Sequence, residues 1–354
     1  MTGKERMLRT LAGERTPVLP VTPHWWGVYK FQLAGVVRDE TDEEKGWALS
    51  GESLAKVDSF FYETFQPDMF HLSTGAWRPL PGDAERARAR RELRPAVRAL
   101  DSKRAIDTYI EAVTPSEEEY LASGIYDHVP ILVEKYGDEA LILLNEGNPV
   151  CEVFENGGPA GDFQDALVAT VEHPENLAYL LWKMYDALLG RMRVLKKMGA
   201  HGYIGSETCV SCDMISPRAF RQVVLPALRH FYQAIDQMGL IPVTYFLGEI
   251  QPILNDIAGM GARALMIEEP KKGFHLDVCE IYRRLDGRMA LFGNLDSVYH
   301  LLWGTPQMVE AETRRQCAYA SKGGFIMACG SPLCYHTPKE NIQTMIRTAR
   351  NFRV

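Results

Sequence analysis

Polar residues gather where short apolar runs end. Glu207 closes the run that begins at Gly202, Tyr245 sits near the end of Pro242 to Phe246, Glu249 follows it, and Glu268 closes Ala264 to Ile267. Side chains alternate along a strand, so Tyr245, Leu247 and Glu249 share one side, and Met266 and Glu268 share the corresponding side of theirs. Where those sides meet, a phenol and two carboxylates converge. Neighbouring carboxylates either raise one another's pKa, which suits acid/base work, or bind a cation. A plainer alternative stays open, in which Glu249 caps the helix beginning near Pro252 and Glu268 or Glu269 pairs with Lys271 or Lys272. Cys329 ends the run Gly324 to Ala328, just before Gly330-Ser331-Pro332. A thiolate there, completed by a neighbouring Glu or His, suits an open zinc site, and a packed thiol suits the position equally.

Aromatic residues supply a second group. His24, Trp25, Trp26 and Tyr29 cluster after the first apolar run, where their rings either wall a pocket for a flat ligand or pack into the core. His336 lies on a loop in Leu-Cys-Tyr-His-Thr-Pro. Cys209-Val-Ser-Cys212 is a lone Cys-x-x-Cys, and a zinc ribbon needs a second pair that the sequence lacks.

Alternating elements must position these groups. Expected strands are Val18 to Thr22, Met69 to Ser73, Leu141 to Leu144, Val150 to Phe154, Gly202 to Gly205, Pro242 to Phe246, Ala264 to Ile267, Met289 to Phe292 and Gly324 to Ala328. Helical patterns lie between them, as in Pro174 to Met198, where Leu177, Leu180, Leu181, Met184, Leu188 and Leu195 recur at helical spacing. Lys-Lys-Met-Gly-Ala before the strand of Glu207 is echoed by Ala-Gly-Met-Gly-Ala before the strand of Glu268. Repeated units of this design predict an α/β protein, a single (β/α)8 TIM barrel over residues 1–354 with chemistry at the carboxyl ends of its strands. A doubly wound sheet is the alternative. At the start, residues 1–17 form a helical extension in which Thr2 and Glu5 make a capping box. The arginine-rich stretch Arg78 to Lys103 is a solvated excursion or lid.

Composition excludes several classes of function. The chain has 354 residues, 46% hydrophobic and 24% charged, enough to bury a large core. Its net charge of −7 and lack of a basic block argue against nucleic acid as a partner. No apolar stretch spans a bilayer and the N-terminus is charged, so a soluble, cytoplasmic protein with no membrane partner is expected. Seven scattered cysteines fit reduced thiols better than a disulfide scaffold. Neither a dinucleotide fingerprint nor a P-loop is present.

From about Val171 onward the sequence resembles the uroporphyrinogen decarboxylase superfamily, which includes cobalamin-dependent methyltransferases. The matching pieces are Glu172-His-Pro-Glu-Asn, Met214-Ile-Ser-Pro with Val224-Leu-Pro, Leu291-Phe-Gly-Asn-Leu-Asp296, Gly304-Thr-Pro, and Gly330-Ser-Pro followed by His336-Thr-Pro-Lys-Glu-Asn341. Arg15-Thr-Pro-Val and Phe65-Gln-Pro-Asp68 extend the likeness weakly into the first half. It implies a barrel with its site at the carboxyl face, and two competing activities. A decarboxylase of the tetrapyrrole needs an arginine-rich segment after the first strand, where this chain has His24-Trp-Trp-Gly-Val-Tyr29. Zinc methyltransferases of the family use a His-x-Cys pair and a later cysteine; here the pair falls on Tyr245 and Leu247, and the cysteine on Cys329.

The function expected is therefore methyl transfer between a small methoxylated or methylated substrate and a corrinoid held by a separate partner protein. Glu207 and Tyr245 serve as catalytic groups, and His24, Trp25, Trp26, Tyr29, Asn294 and His336 bind substrate. Zinc, where present, takes a rearranged set from Glu249, Glu268 and Cys329. Decarboxylation of a tetrapyrrole or smaller carboxylated substrate is the alternative, and a non-catalytic binding barrel a third. A homodimer is compatible with each.

Overall fold

Thr2 accepts the Glu5 N–H while the Glu5 carboxylate accepts the Thr2 N–H, so the chain begins with the expected capped helix, Gly3–Leu11. The structure, a computed structural model, describes residues 1–80, 82–154, 158–271 and 273–353. Among the described residues, seven parallel strands follow in sequence order: β1 Met69–Leu72, β2 Leu141–Asn145, β3 Gly202–Glu207, β4 Ile241–Phe246, β5 Ala264–Ile267, β6 Ala290–Phe292 and β7 Phe325–Ile326. Each pairs with the next, as when Ser206 of β3 lies beside Tyr245 of β4 and Tyr245 beside Met266 of β5. Among the described residues, no helix is long and apolar enough to cross a membrane.

Alternation sorts the strand side chains into two layers. Met69, Leu141, Leu143, Ile204, Val243, Tyr245, Met266, Phe292 and Ile326 pack with one another inside the curled sheet, and Met7 of the first helix joins them. Phe70, Ile142, Leu144, Tyr203, Phe246, Leu265, Leu291 and Phe325 face outward onto the helices. The larger of these side chains each contribute about 1.5–3 kcal/mol by leaving water. Helix Pro174–Lys197 presents its predicted leucines to this outer layer. Two glycines end the helical runs before β3 and β5 in the left-handed region, Gly199 at φ 87° and Gly261 at φ 108°, and these are the glycines of the sequence echo.

One short segment lies between the first and last strands. Thr22 N–H donates to Met327 O at 2.9 Å and Met327 N–H donates to Pro20 O at 2.9 Å, while Asp68 N–H donates to Val21 O at 3.0 Å. Asp68 returns a second bond by accepting the Val21 N–H at 2.8 Å.

The expectation for one apolar run changes. Val150 to Phe154 is helix, not strand: Pro149 starts it, and the Asn148 side chain accepts the N–H groups of Val150 and Cys151. A short apolar run reads alike as buried strand or buried helix, and here the cap and proline decide. The arginine-rich stretch forms helix Asp83–Arg98 and leads into helix Lys103–Val113. Together with the loop after β2 they border a cleft of ≈ 510 Å³.

Candidate functional site

Interior-facing residues at the carboxyl ends of the strands build one polar cluster. His71 shares the inward side of β1 with Met69, and the ring of His24 stacks on it at 4.6 Å between centroids with 12° between planes. Tyr245 presents its ring edge to His24 at 4.8 Å. All three are buried, at 0%, 0% and 4% exposure. His24 Nδ1 lies 3.3 Å from the carbonyl oxygen of Gly330. A carbonyl only accepts, so Nδ1 carries the proton there and a neutral ring has its lone pair on Nε2. Among the described residues, neither that Nε2, nor either nitrogen of His71, nor the Tyr245 hydroxyl has a partner in hydrogen-bond geometry.

Electrostatics keep these groups uncharged. Burial depresses His24 to about 3, assisted by the positive charge of Lys271. Burial does the same to His71, which falls well below the usual range with His24 and Lys30 adding to the effect. Burial and the charges of Glu269 and Glu268 hold the Tyr245 phenol well above its ordinary value, so it remains a proton donor. Beside them, the Lys271 ammonium lies 3.2 Å from both Glu268 and Glu269 and donates to Ser331 Oγ at 2.7 Å. Glu268 also accepts the Gly248 N–H at 2.5 Å. Lys272, the other expected partner, lies outside the described residues.

The expected site residues divide accordingly. Tyr245, Glu268, His24 and Cys329 come together. The His24 backbone N–H donates to Cys329 Sγ at 3.1 Å, and burial pushes that thiol up to about 12. Glu249 stands apart: half-buried, it accepts the Gln251 N–H at 2.8 Å and so caps the short helical turn that follows. Among the described residues, no three His, Cys, Asp or Glu side chains are placed to hold a metal ion. Glu249, turned to the Gln251 N–H, stands apart from Glu268 and Cys329, so the zinc set Glu249, Glu268 and Cys329 is not gathered at one place.

Glu207 faces the other way. It is the neighbour of inward Ser206, so its carboxylate enters the helix layer, where Tyr232 donates to it at 2.8 Å and Tyr185 at 3.0 Å. Burial raises it to about 7 in spite of those bonds. The folded protein then holds a proton that the unfolded chain releases from the usual 4.5 upward. Stability conferred by that proton is present at low pH and lost as pH rises through 7, a total of about 3 kcal/mol. Glu207→Gln is expected to remove this slope and to exceed the wild type in stability at pH 8; urea unfolding at pH 5 and pH 8 measures it.

Other aromatic and polar candidates serve the frame. Trp25 stacks on Phe61 at 4.1 Å and donates its indole N–H to Met69 O, while Tyr29 meets Phe61 edge-on. Trp26 leans on Trp47. Asn294 is buried and donates both amide hydrogens to backbone, Glu268 O at 3.1 Å and Leu276 O at 3.0 Å, which fixes the strand end carrying Glu268. His336 is exposed, at φ 63°, and pairs with Gln32. His71 was not singled out by sequence, although its parity with Met69 on a strand already expected is a sufficient signal.

The family model described as uroporphyrinogen decarboxylase (URO-D) matches residues 2–352. A methylcobamide:CoM methyltransferase, MtaA of Methanosarcina barkeri, is 28% identical over 162 residues, 46% of this chain and 44% of that protein. A uroporphyrinogen decarboxylase of Chlorobium limicola is 25% identical over 228 residues, 63% of this chain and 60% of that one. The chain thus matches about half the length of such curated relatives. A solved methyltransferase from Methanosarcina mazei shares the fold, with a TM-score of 0.75 at 19% identity over 99% of this chain and 98% of its own.

Proposed function

We propose that this chain, which belongs to the uroporphyrinogen decarboxylase family, moves a methyl group from a small methoxylated or methylated substrate to a corrinoid carried on a separate protein. The relatives named methylcobamide:CoM methyltransferase support the methyl-transfer half of this reading. The observation that carries it against tetrapyrrole decarboxylation is the uncharged His24, His71 and Tyr245 cluster at the strand ends. A substrate with many carboxylates needs guanidinium forks when it leaves water, and imidazoles and a phenol held neutral do not supply them.

The architecture follows the same reading: a single closed (β/α)8 barrel over residues 1–354, with Pro20 to Thr22 as its eighth stave. Its bonds to Met327 on one side and Asp68 on the other support this closure. Substrate binds at the carboxyl face with its methyl-bearing atom toward Tyr245. The Tyr245 hydroxyl donates to the oxygen that gains charge as the methyl departs, and His24 Nε2 and His71 accept or donate hydrogen bonds to the remainder of the substrate. Lys271, gripping Glu268, Glu269 and Ser331, fixes the loop that covers His24. When its carrier protein docks, the corrinoid supplies the nucleophile for the methyl group.

The test is methylation of cob(I)alamin under anaerobic conditions with a methoxylated phenol as donor, followed by loss of cob(I)alamin absorbance, alongside elemental analysis of the protein. Methyl transfer by protein free of stoichiometric zinc is the expected result. Carbon dioxide release from a carboxylated substrate without corrinoid, or tight retention of a ligand without turnover, overturns it.

A further inference from the structure

The stacked histidines lie between two ammonium groups that are already paired. On the β1 side, Lys30 of helix Tyr29–Leu33 meets Asp58 of helix Gly51–Phe65 at 2.7 Å, both fully buried, and donates to Ser73 Oγ at 3.1 Å. On the β5 side, Lys271 meets Glu268 and Glu269. Among the described residues, Tyr245 meets the His24 ring edge-on and Cys329 accepts the His24 backbone N–H, both of them buried. A proton added to either ring places a third cation between two ammonium groups, on a ring that is fully buried. Meanwhile His24 Nε2, both nitrogens of His71 and the Tyr245 hydroxyl are buried with no partner in hydrogen-bond geometry among the described residues. Each such atom costs about 1–3 kcal/mol unless something bonds to it.

We infer that these four atoms form the recognition site for an uncharged hydrogen-bonding group of the substrate, an ether or hydroxyl oxygen, and that His71 determines this specificity by rejecting a carboxylate. This rests on reading the strand ends as the substrate site and narrows the substrate to one whose reacting portion carries no charge. A neutral imidazole bonds to a neutral oxygen without changing its own charge. A carboxylate, by contrast, is held only when a ring takes up a proton to meet it, so its affinity rises about tenfold for each unit fall in pH. The depression of both histidines described above agrees with this assignment.

Calorimetric titration with 2-methoxyphenol and with benzoate between pH 6 and pH 8 tests the inference. Expected are a pH-independent Kd for 2-methoxyphenol and binding of benzoate at least about tenfold weaker at pH 7. His71→Phe weakens 2-methoxyphenol about tenfold, and His71→Asn, which keeps polar atoms, restores it to within a few-fold. A readout without ligand accompanies these: 15N imidazole shifts of His24 and His71 stay those of neutral rings from pH 6 to pH 8. No binding of 2-methoxyphenol, equal or tighter binding of benzoate, or titration of either ring in this range overturns the inference. Cob(I)alamin methylation is scored separately, so its absence with the preference intact removes the methyl-transfer reading and leaves the recognition site standing.

Discussion

Tyr245→Phe is expected to lower methyl transfer by about 10²–10⁴-fold while leaving the fold intact, the range associated with losing one positioned proton donor. The variant removes one hydroxyl and nothing else. Among the described residues that hydroxyl has no partner in hydrogen-bond geometry, Ser331 being the hydroxyl beside it, so its loss costs the fold little, and the ring keeps its edge contact with His24 at 4.8 Å. An unsatisfied buried donor is a cost to the folded state, and phenylalanine relieves it, so stability should hold or rise slightly. The effect belongs on the rate and not on substrate affinity, because the bond strengthens as charge develops on the departing oxygen. Initial rates of cob(I)alamin methylation against substrate concentration separate the two. A turnover within a few-fold of wild type removes Tyr245 from the chemistry, and an equal change in kcat and stability marks it as structural.

Much of this site is legible in the sequence because one rule, alternation along a strand, was available for it. Counting from Tyr245 and Met266 places both inward, and both belong to the interior layer. The same count applied to β3 places Ser206 inward and Glu207 outward, so the echo between the two strands misleads: Glu207 is the last residue of β3 and lies level, through Phe246, with Ile267, the last residue of β5, whereas Glu268 comes one residue later. Glu207 is accordingly one residue out of phase with Glu268. Glu249 shows a second limit. Parity puts it on the side of Tyr245, yet the chain leaves the strand at Phe246 and turns at Gly248, where φ is 91°. Beyond the strand's end alternation no longer governs direction, and the carboxylate caps Gln251 instead. Lys30 and Asp58 carry no local signal at all. They lie 28 residues apart on different helices, and only the packing of those helices beneath β1 turns them into a buried pair.

Asp68→Ala is expected to cost about 3–5 kcal/mol, the usual penalty for removing one partner of a buried, hydrogen-bonded charge pair. Asp68 is 1% exposed and joins three distant parts of the chain. One carboxylate oxygen accepts from Arg6 of the first helix at 2.5 Å and lies 3.7 Å from Arg350 of the last helix, Lys339–Asn351. The other accepts the Val21 N–H at 2.8 Å, while the Asp68 backbone N–H donates to Val21 O. Alanine leaves the backbone bond in place but strands the Val21 N–H and removes the counter-charge of Arg6. Asparagine retains an acceptor for Val21 without the charge, so Asp68→Asn is expected to recover about half of the loss. Urea unfolding with an unchanged slope and a lowered midpoint reads the effect as stability and not as a looser denatured state. The link to function is short. Val21 lies three residues before His24, so loosening the segment at Asp68 also unseats the histidine that stacks on His71. Loss of activity should therefore accompany loss of stability in Asp68→Ala, in contrast to Tyr245→Phe, where the two separate. A penalty below about 1 kcal/mol, the size expected of an exposed ion pair, shows that Asp68 does not seat the segment between β7 and β1.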